Sequence, residues 1–303
     1  MRFLLVAILT FGFSAFALAQ EAVEDDIQDQ QPVDAELTSA GLEFAARVRA
    51  VTSSATSTGR MAAVTEMLDD LEIEYRVAPF EIDEFKGNNL IVELGPKADE
   101  TILLGAHFDQ VGVGQGAVDN ACSCALLVEM VEQFQATPLT NHSLEVVFFD
   151  QEETGLVGSK AYVAALKALN DKKQPKHFLN FDIFGYGDSL WLMGAEKGDA
   201  IEKAIAKAGK EADLPVIVSG VKEYPPGDHL SFVEGGISTI AITLIDQAEI
   251  LKVQSLLKGK RIAPPPILQT IHTPDDNMSK IDAKEVARAI PVIESAIRLL
   301  DES

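Results

Sequence analysis

The sequence predicts an α/β fold: a single domain whose mostly parallel, mixed central sheet carries helices on both faces. Three observations carry that prediction. From about residue 74 to the end, short β-prone runs alternate with longer segments of helical apolar spacing. The runs at 101–104 and 238–245 are apolar enough to be buried strands, and 143–149 is strongly β-prone. Side chains able to bind metal recur where such runs end, and that is where open α/β sheets place their chemistry.

The elements follow in order. Glu36 to Val51 has helical spacing, with Leu37, Phe44, Val48 and Val51 on one face. Ser57-Thr58-Gly59 precedes a second helix, Arg60 to Leu71, whose apolar face is Met61, Val64, Met67, Leu68 and Leu71. Both are read as core-packing helices. Strands are expected at 74–81 and 89–94, then at the run ending in His107. A helix follows over 121–134. Ser143 to Phe149 is rich in β-branched and aromatic residues and reads as a strand. A helix is expected over 155–169, strands at 177–183, 189–193, 215–218 and 238–245, and helices over 199–211 and 247–257. Ala263-Pro264-Pro265-Pro266 is read as an extended loop, either a rigid wall beside a cleft or a plain connector. The last helix starts at Asp282. Glu285 is placed for a capping box, and Ile281 and Val286 for a hydrophobic staple.

Length and composition bound the rest. A chain of 303 residues holds one large or two small domains, and no repeat or linker divides the part after residue 36. The 47% hydrophobic content supplies a large core. The formal net charge of −22 leaves no basic stripe for phosphate, which argues against a nucleic-acid partner. Arg2, the apolar run from Phe3 to Leu18 and the small-x-small Ala17-Leu18-Ala19 read as a signal peptide over 1–19; an uncleaved anchor is the alternative. The acidic, glutamine-rich stretch over 20–35 reads as a disordered spacer. The expectation is an exported protein, periplasmic or secreted, with no membrane attachment after cleavage and a monomeric state. Cys122 and Cys124 sit two apart on a helix and cannot face each other, so they are expected as free thiols.

The chemistry starts at Leu103-Leu104-Gly105-Ala106-His107-Phe108-Asp109. Residues two apart on a strand share a face, so His107 and Asp109 leave together. Alone, the pair also fits a core histidine beside a turn aspartate. Further polar groups then recur: Asp119 after a glycine-rich loop, Glu152 and Glu153 after a strand, Asp182 near a strand end, and His272 in a loop. All are nitrogen or carboxylate donors, a set that suits zinc, or manganese or cobalt. With Asp109 and Glu152 set aside for other roles, two imidazoles and three carboxylates remain. That exceeds the three protein ligands of a single catalytic zinc, and a carboxylate bridging two ions accounts for the excess.

Five segments, in this order, resemble the two-zinc exopeptidases of metallopeptidase family 28. They are His107-Phe108-Asp109, Gly116-Ala117-Val118-Asp119-Asn120, the Glu152-to-Ser159 run, Asn180-Phe181-Asp182, and His272-Thr273-Pro274-Asp275-Asp276. This family includes bacterial leucyl aminopeptidases, glutamate carboxypeptidases and glutaminyl cyclases. The resemblance covers roughly residues 40 to 300 and makes 36–303 a metallopeptidase catalytic domain. It implies that His107 and Asp182 bind one zinc, Glu153 and His272 a second, and that Asp119 bridges the two. It implies Glu152 as general base and Asp109 as the partner that orients His107. Divergent directions of adjacent residues leaving a strand agree with splitting Glu152 from Glu153. Gly227-Asp228-His229 resembles the family's Ser-Asp-His segment with glycine in the serine position; Asp228 and His229 are read as supporting residues. Cys122-Ser123 stands where the family usually has Ser-Gly. His142 and His177 are read as structural.

The substrate expected is a peptide. An aminopeptidase needs an acidic pocket for the free amine, and the carboxylate-rich site offers one. A carboxypeptidase needs a cation for the terminal carboxylate, for which Lys222 or Arg261 would have to serve. Glutaminyl cyclase on the same scaffold and a non-catalytic metal-binding protein are the remaining alternatives.

Overall fold

The computed structural model describes residues 39–168, 174–194 and 199–303. The expected signal peptide and spacer lie outside them. Helices α1 (Ser39–Thr52) and α2 (Ser57–Asp70) precede the β1 (Tyr75–Ile82) and β2 (Phe85–Leu94) hairpin. There follow β3 (Thr101–His107), a tight π-turn at Ala117–Ala121, α3 (Cys122–Ala136), β4 (Ser143–Phe149), α4 (Val157–Ala168), β5 (His177–Phe184) and β6 (Ser189–Gly194). The chain ends with α5 (Ala200–Glu211), β7 (Val216–Ser219), α6 (His229–Gly235), β8 (Thr239–Ile245), α7 (Gln247–Leu257), α8 (Pro266–Thr270) and α9 (Ala283–Asp301).

The eight strands of the described residues join one mixed sheet in the order β1-β2-β4-β3-β5-β8-β6-β7. Its centre, β4-β3-β5-β8, is parallel, while β1–β2, β2–β4 and β6–β8 pair antiparallel. Strand alternation divides the core. Ile102, Leu104 and Ala106 of β3 join the large cluster formed with α1, α2, α3, α5 and α9, whereas Leu103 faces Tyr162, Val163 and Phe232 of α4 and α6 on the other side. A third cluster, with Trp191, Tyr224, Ile250 and Ile267, covers the sheet beneath α7 and α8. Among the described residues no helix is long and apolar enough to cross a membrane.

Three local expectations change. Pro266 is helical, as the first residue of α8, because the first turn of a helix does not need the missing N–H. The capping box of α9 is half formed. Asp282 accepts from the N–H groups of Lys284 and Glu285, but its own N–H goes to Gly185 and the Glu285 carboxylate pairs with Arg288. The stripe of α2 is rotated: its buried residues are Arg60, Val64 and Leu68, with Met61, Met67 and Leu71 only partly covered.

The fold brings the expected residues to one edge. His107 is in register with Phe149, so the β4 turn carrying Glu152 and Glu153 starts beside it. Gly105 pairs with Asn180, and continuing that register sets Asp182 level with His107. Both side chains therefore emerge at the carboxyl end of the parallel strands.

Candidate metal centre

Asp119 is the centre of the cluster. One carboxylate oxygen lies 3.2 Å from His107 Nε2 and the other 3.2 Å from His272 Nε2. Asp182 Oδ1 is 3.4 Å from the same His107 nitrogen, and Glu153 Oε2 is 3.0 Å from the His272 nitrogen. Two triads result, His107–Asp119–Asp182 and Asp119–Glu153–His272, each with its donor atoms within 4.8 Å of one another. Asp119 belongs to both. Its peptide bond to Asn120 is cis, and the Asn120 side chain donates to Phe181 O at 3.0 Å, tying the turn to β5.

These donors fit divalent metal. His107 is 1% exposed, and neither ring nitrogen has a hydrogen-bond partner, although carboxylate oxygens crowd both. Glu153 Oε1 is buried without a partner as well. Buried polar atoms are almost always paired; a cation in the first triad would satisfy His107 Nε2, while Nδ1 stands 3.3 Å from the Asp109 carboxylate. Cys122 and Cys124 are free and buried, and neither belongs to a triad. The Cys124 thiol instead donates to His107 O at 3.2 Å.

The charges need compensation. Burial opposes a charged His107, but Asp109, Asp119 and Asp182 outweigh it and raise its pKa well above the ordinary value. Burial also opposes a charged Asp119, yet the two histidines hold it below the usual carboxylate range. Glu152 is pushed up to about 9, first by burial; His107 pulls it down, while Asp182, Asp228 and Asp119 add to the rise. Cations among these carboxylates would draw it back toward the ionised form. Asp228, 1% exposed, is raised to about 7 by burial, and neither of its oxygens is hydrogen-bonded. Burial lowers His229 to about 4, so it is neutral, and it stands edge-on to Tyr224 and in neither triad.

Asp109 has a wider task than orienting a ring. It lies 3.3 Å from His107 Nδ1, and it accepts from the backbone N–H of Glu152 at 3.0 Å and of Glu153 at 3.2 Å. Those two glutamates sit in a turn, which Gln151 enters with a positive φ of 58°. Strand alternation therefore does not separate their side chains. A turn pinned by Asp109 does.

A family model described as Peptidase family M28 matches residues 89–297. The chain belongs to peptidase family M28. An aminopeptidase of Pseudomonas aeruginosa is 38% identical over 116 residues, covering 35% of this chain and 21% of that protein. The first curated relatives are matched over only 20–24% of their own length. Among solved structures, a zinc aminopeptidase from Bacillus subtilis matches with a TM-score of 0.58 and 21% identity, over 71% of this chain and 50% of that one. A glutaminyl cyclase from an Acidobacteriales bacterium matches at 0.67 and 19%, over 91% and 99%. At these identities the structures share the fold.

Two residues without an expected role hold this M28 site together. Asp276, 1% exposed, accepts from Val118 N at 2.7 Å and Asp119 N at 3.2 Å. It lies in the His272–Asp276 segment, but nothing in a local motif says which backbone it meets. Arg60, fully buried, donates to Phe108 O, to Gln115 O at 2.9 Å and to Gly116 O at 3.0 Å. Its signal was present in the sequence: it is in phase with Val64 and Leu68, on the face that had to be apolar.

Proposed function

We propose that this M28 chain is a zinc-dependent exopeptidase of the aminopeptidase type, removing N-terminal residues from peptides. The observation that carries the reading is Asp119, whose two oxygens each face a different histidine-containing triad. On this reading His107 and Asp182 hold one zinc, Glu153 and His272 the other, and Asp119 serves both; manganese or cobalt would suit the same nitrogen and oxygen donors. Bound there, the two ions would polarise the scissile carbonyl and make water acidic enough to attack it. Glu152 takes the proton of the attacking water and passes it to the leaving amine. Asp109 fixes the direction of His107 and of the Glu152–Glu153 turn.

The placement of Lys222, Arg261 and Arg60 among the described residues supports amine over carboxylate recognition. Among the described residues, Lys222 is exposed on a short 3-10 turn (Val221–Glu223), Arg261 is exposed on a loop, and Arg60 is committed to backbone carbonyls. The full-length likeness to a glutaminyl cyclase favours a second reading, cyclisation of N-terminal glutamine. We assign residues 36–303 as the catalytic domain of a monomer exported after loss of 1–19.

The test is hydrolysis of amino-acid p-nitroanilides against N-blocked analogues and glutaminyl peptides, with and without chelator, alongside zinc counting. Chelator-sensitive release from free-amine substrates with two zinc ions per chain is expected. Turnover confined to blocked substrates, or glutamine cyclisation alone, would overturn the aminopeptidase assignment.

A further inference from the structure

The loop between His107 and the Asp119 turn is held by a side chain outside the ligand set. Arg60 reaches the loop at both ends. It bonds Phe108 O where the loop leaves β3, and Gln115 O and Gly116 O where it enters the π-turn. The same loop is bound to the His272 segment. Gln115 N donates to Asp276 O at 2.7 Å, Met278 N donates to Gln115 Oε1 at 3.2 Å, and Asp276 holds Val118 N and Asp119 N. A side chain at Gly114 would strike Thr273 O, so the two segments touch backbone to backbone there.

Arg60 does little for its own helix. It sits at the N-terminal end of α2, where a cation opposes the helix dipole. It forms no ion pair among the described residues; all its bonds go to loop carbonyls. We propose that Arg60 is a positioning residue for the metal centre: by gathering both ends of the 108–116 loop it sets where Asp109 and Asp119 stand, and through Asp276 where His272 stands. The inference rests on the two-metal reading above. The planar guanidinium reaches three carbonyls in fixed directions, which a lysine ammonium does not reproduce.

The test compares Arg60→Gln and Arg60→Lys with Arg47→Gln. Arg47 is a buried arginine of α1 that pairs with Glu43, Glu129 and Glu132, none of them a site residue. Zinc affinity is measured by competition with a chromophoric chelator, and melting midpoints are taken for the metal-free and zinc-loaded protein. For Arg60→Gln the expected result is a loss of zinc affinity of about 10–100-fold, the cost typical of losing a residue that orients metal ligands. The gap between the metal-free and zinc-loaded midpoints should narrow. Arg60→Lys should fall between Arg60→Gln and the parent, and it carries the test if Arg60→Gln does not fold. Arg47→Gln should lower both midpoints together at unchanged zinc affinity. Parent-like zinc affinity in either folded Arg60 variant, or an Arg60 series that unfolds without selective loss of metal, would overturn the proposal. A parent protein that binds no zinc would defeat the function proposed above, which is a separate outcome.

Discussion

Asp109→Asn isolates the contact on which the site geometry turns. The carboxylate of Asp109 is 4% exposed and serves three groups: the Glu152 and Glu153 N–H donors and the Nδ1 side of His107. An asparagine of the same shape keeps one acceptor oxygen and turns an NH2 toward the other N–H. One charge-assisted hydrogen bond is lost and a buried donor is orphaned, at a cost of about 1.5–3 kcal/mol. At about 1.4 kcal/mol per factor of ten, that corresponds to roughly 10–150-fold. The loss should divide between zinc affinity, through Glu153 and His107, and kcat, through the direction of Glu152. Chelator competition reads the first and p-nitroanilide turnover the second. A folded Asp109→Asn protein with parent-like zinc affinity and parent-like kcat would refute the claim that this carboxylate sets the turn.

Glu152→Ala should keep its full zinc content and lose about 10²–10⁴-fold in kcat, as removal of a general base does; near-normal turnover would take Glu152 out of the reaction. Pro291→Ala should stabilise the protein. Pro291 lies exposed inside α9, where its ring removes a helix hydrogen bond and crowds the preceding turn, together costing about 3 kcal/mol; an unchanged or lower melting midpoint would contradict this. Asp301 accepts the N–H groups of Thr140, Asn141 and His142. Burial would raise its pKa, but these bonds hold it at about 2, below the ordinary 3.8. The folded value is the lower one, so Asp301 stabilises the fold above the ordinary pKa, and that contribution is lost as pH falls toward 2. Asp301→Asn should therefore be less stable than the parent at neutral pH and converge with it in acid. Parallel stability curves across that range would exclude the linkage.

The parts of this molecule that were legible in sequence are those written in side-chain pattern. Each of the eight strands among the described residues overlaps a run expected as strand, although β1 has no buried residue and β2 starts at Phe85, ahead of the expected 89; α1, α2, α3, α4, α5, α7 and α9 follow helical spacing. The short α6 and α8 carry too few turns for a periodicity to register, and α8 begins on a proline. In the site, His107, Asp119, Glu153, Asp182 and His272 share one chemistry and stand at element ends, so their gathering at one sheet edge follows from topology. What stayed hidden has a common physical character: Asp109 binds the N–H groups of a turn, Asp276 the N–H groups entering the Asp119 turn, and Arg60 the carbonyls of a loop. Each satisfies backbone groups, and every residue type has those groups, so no spacing in the sequence points to the partner. The proposed ligands can be read from residue type because a zinc site selects residue type. The side chains that hold those ligands select a backbone shape, and that shape is fixed only when β3, β4, α2 and the His272 segment have packed together. Arg60 is the instructive case: an arginine in phase with Val64 and Leu68 had to be buried, and a buried guanidinium without an acidic partner must find carbonyls. The need for a partner was readable at residue 60, and only the fold supplied its address.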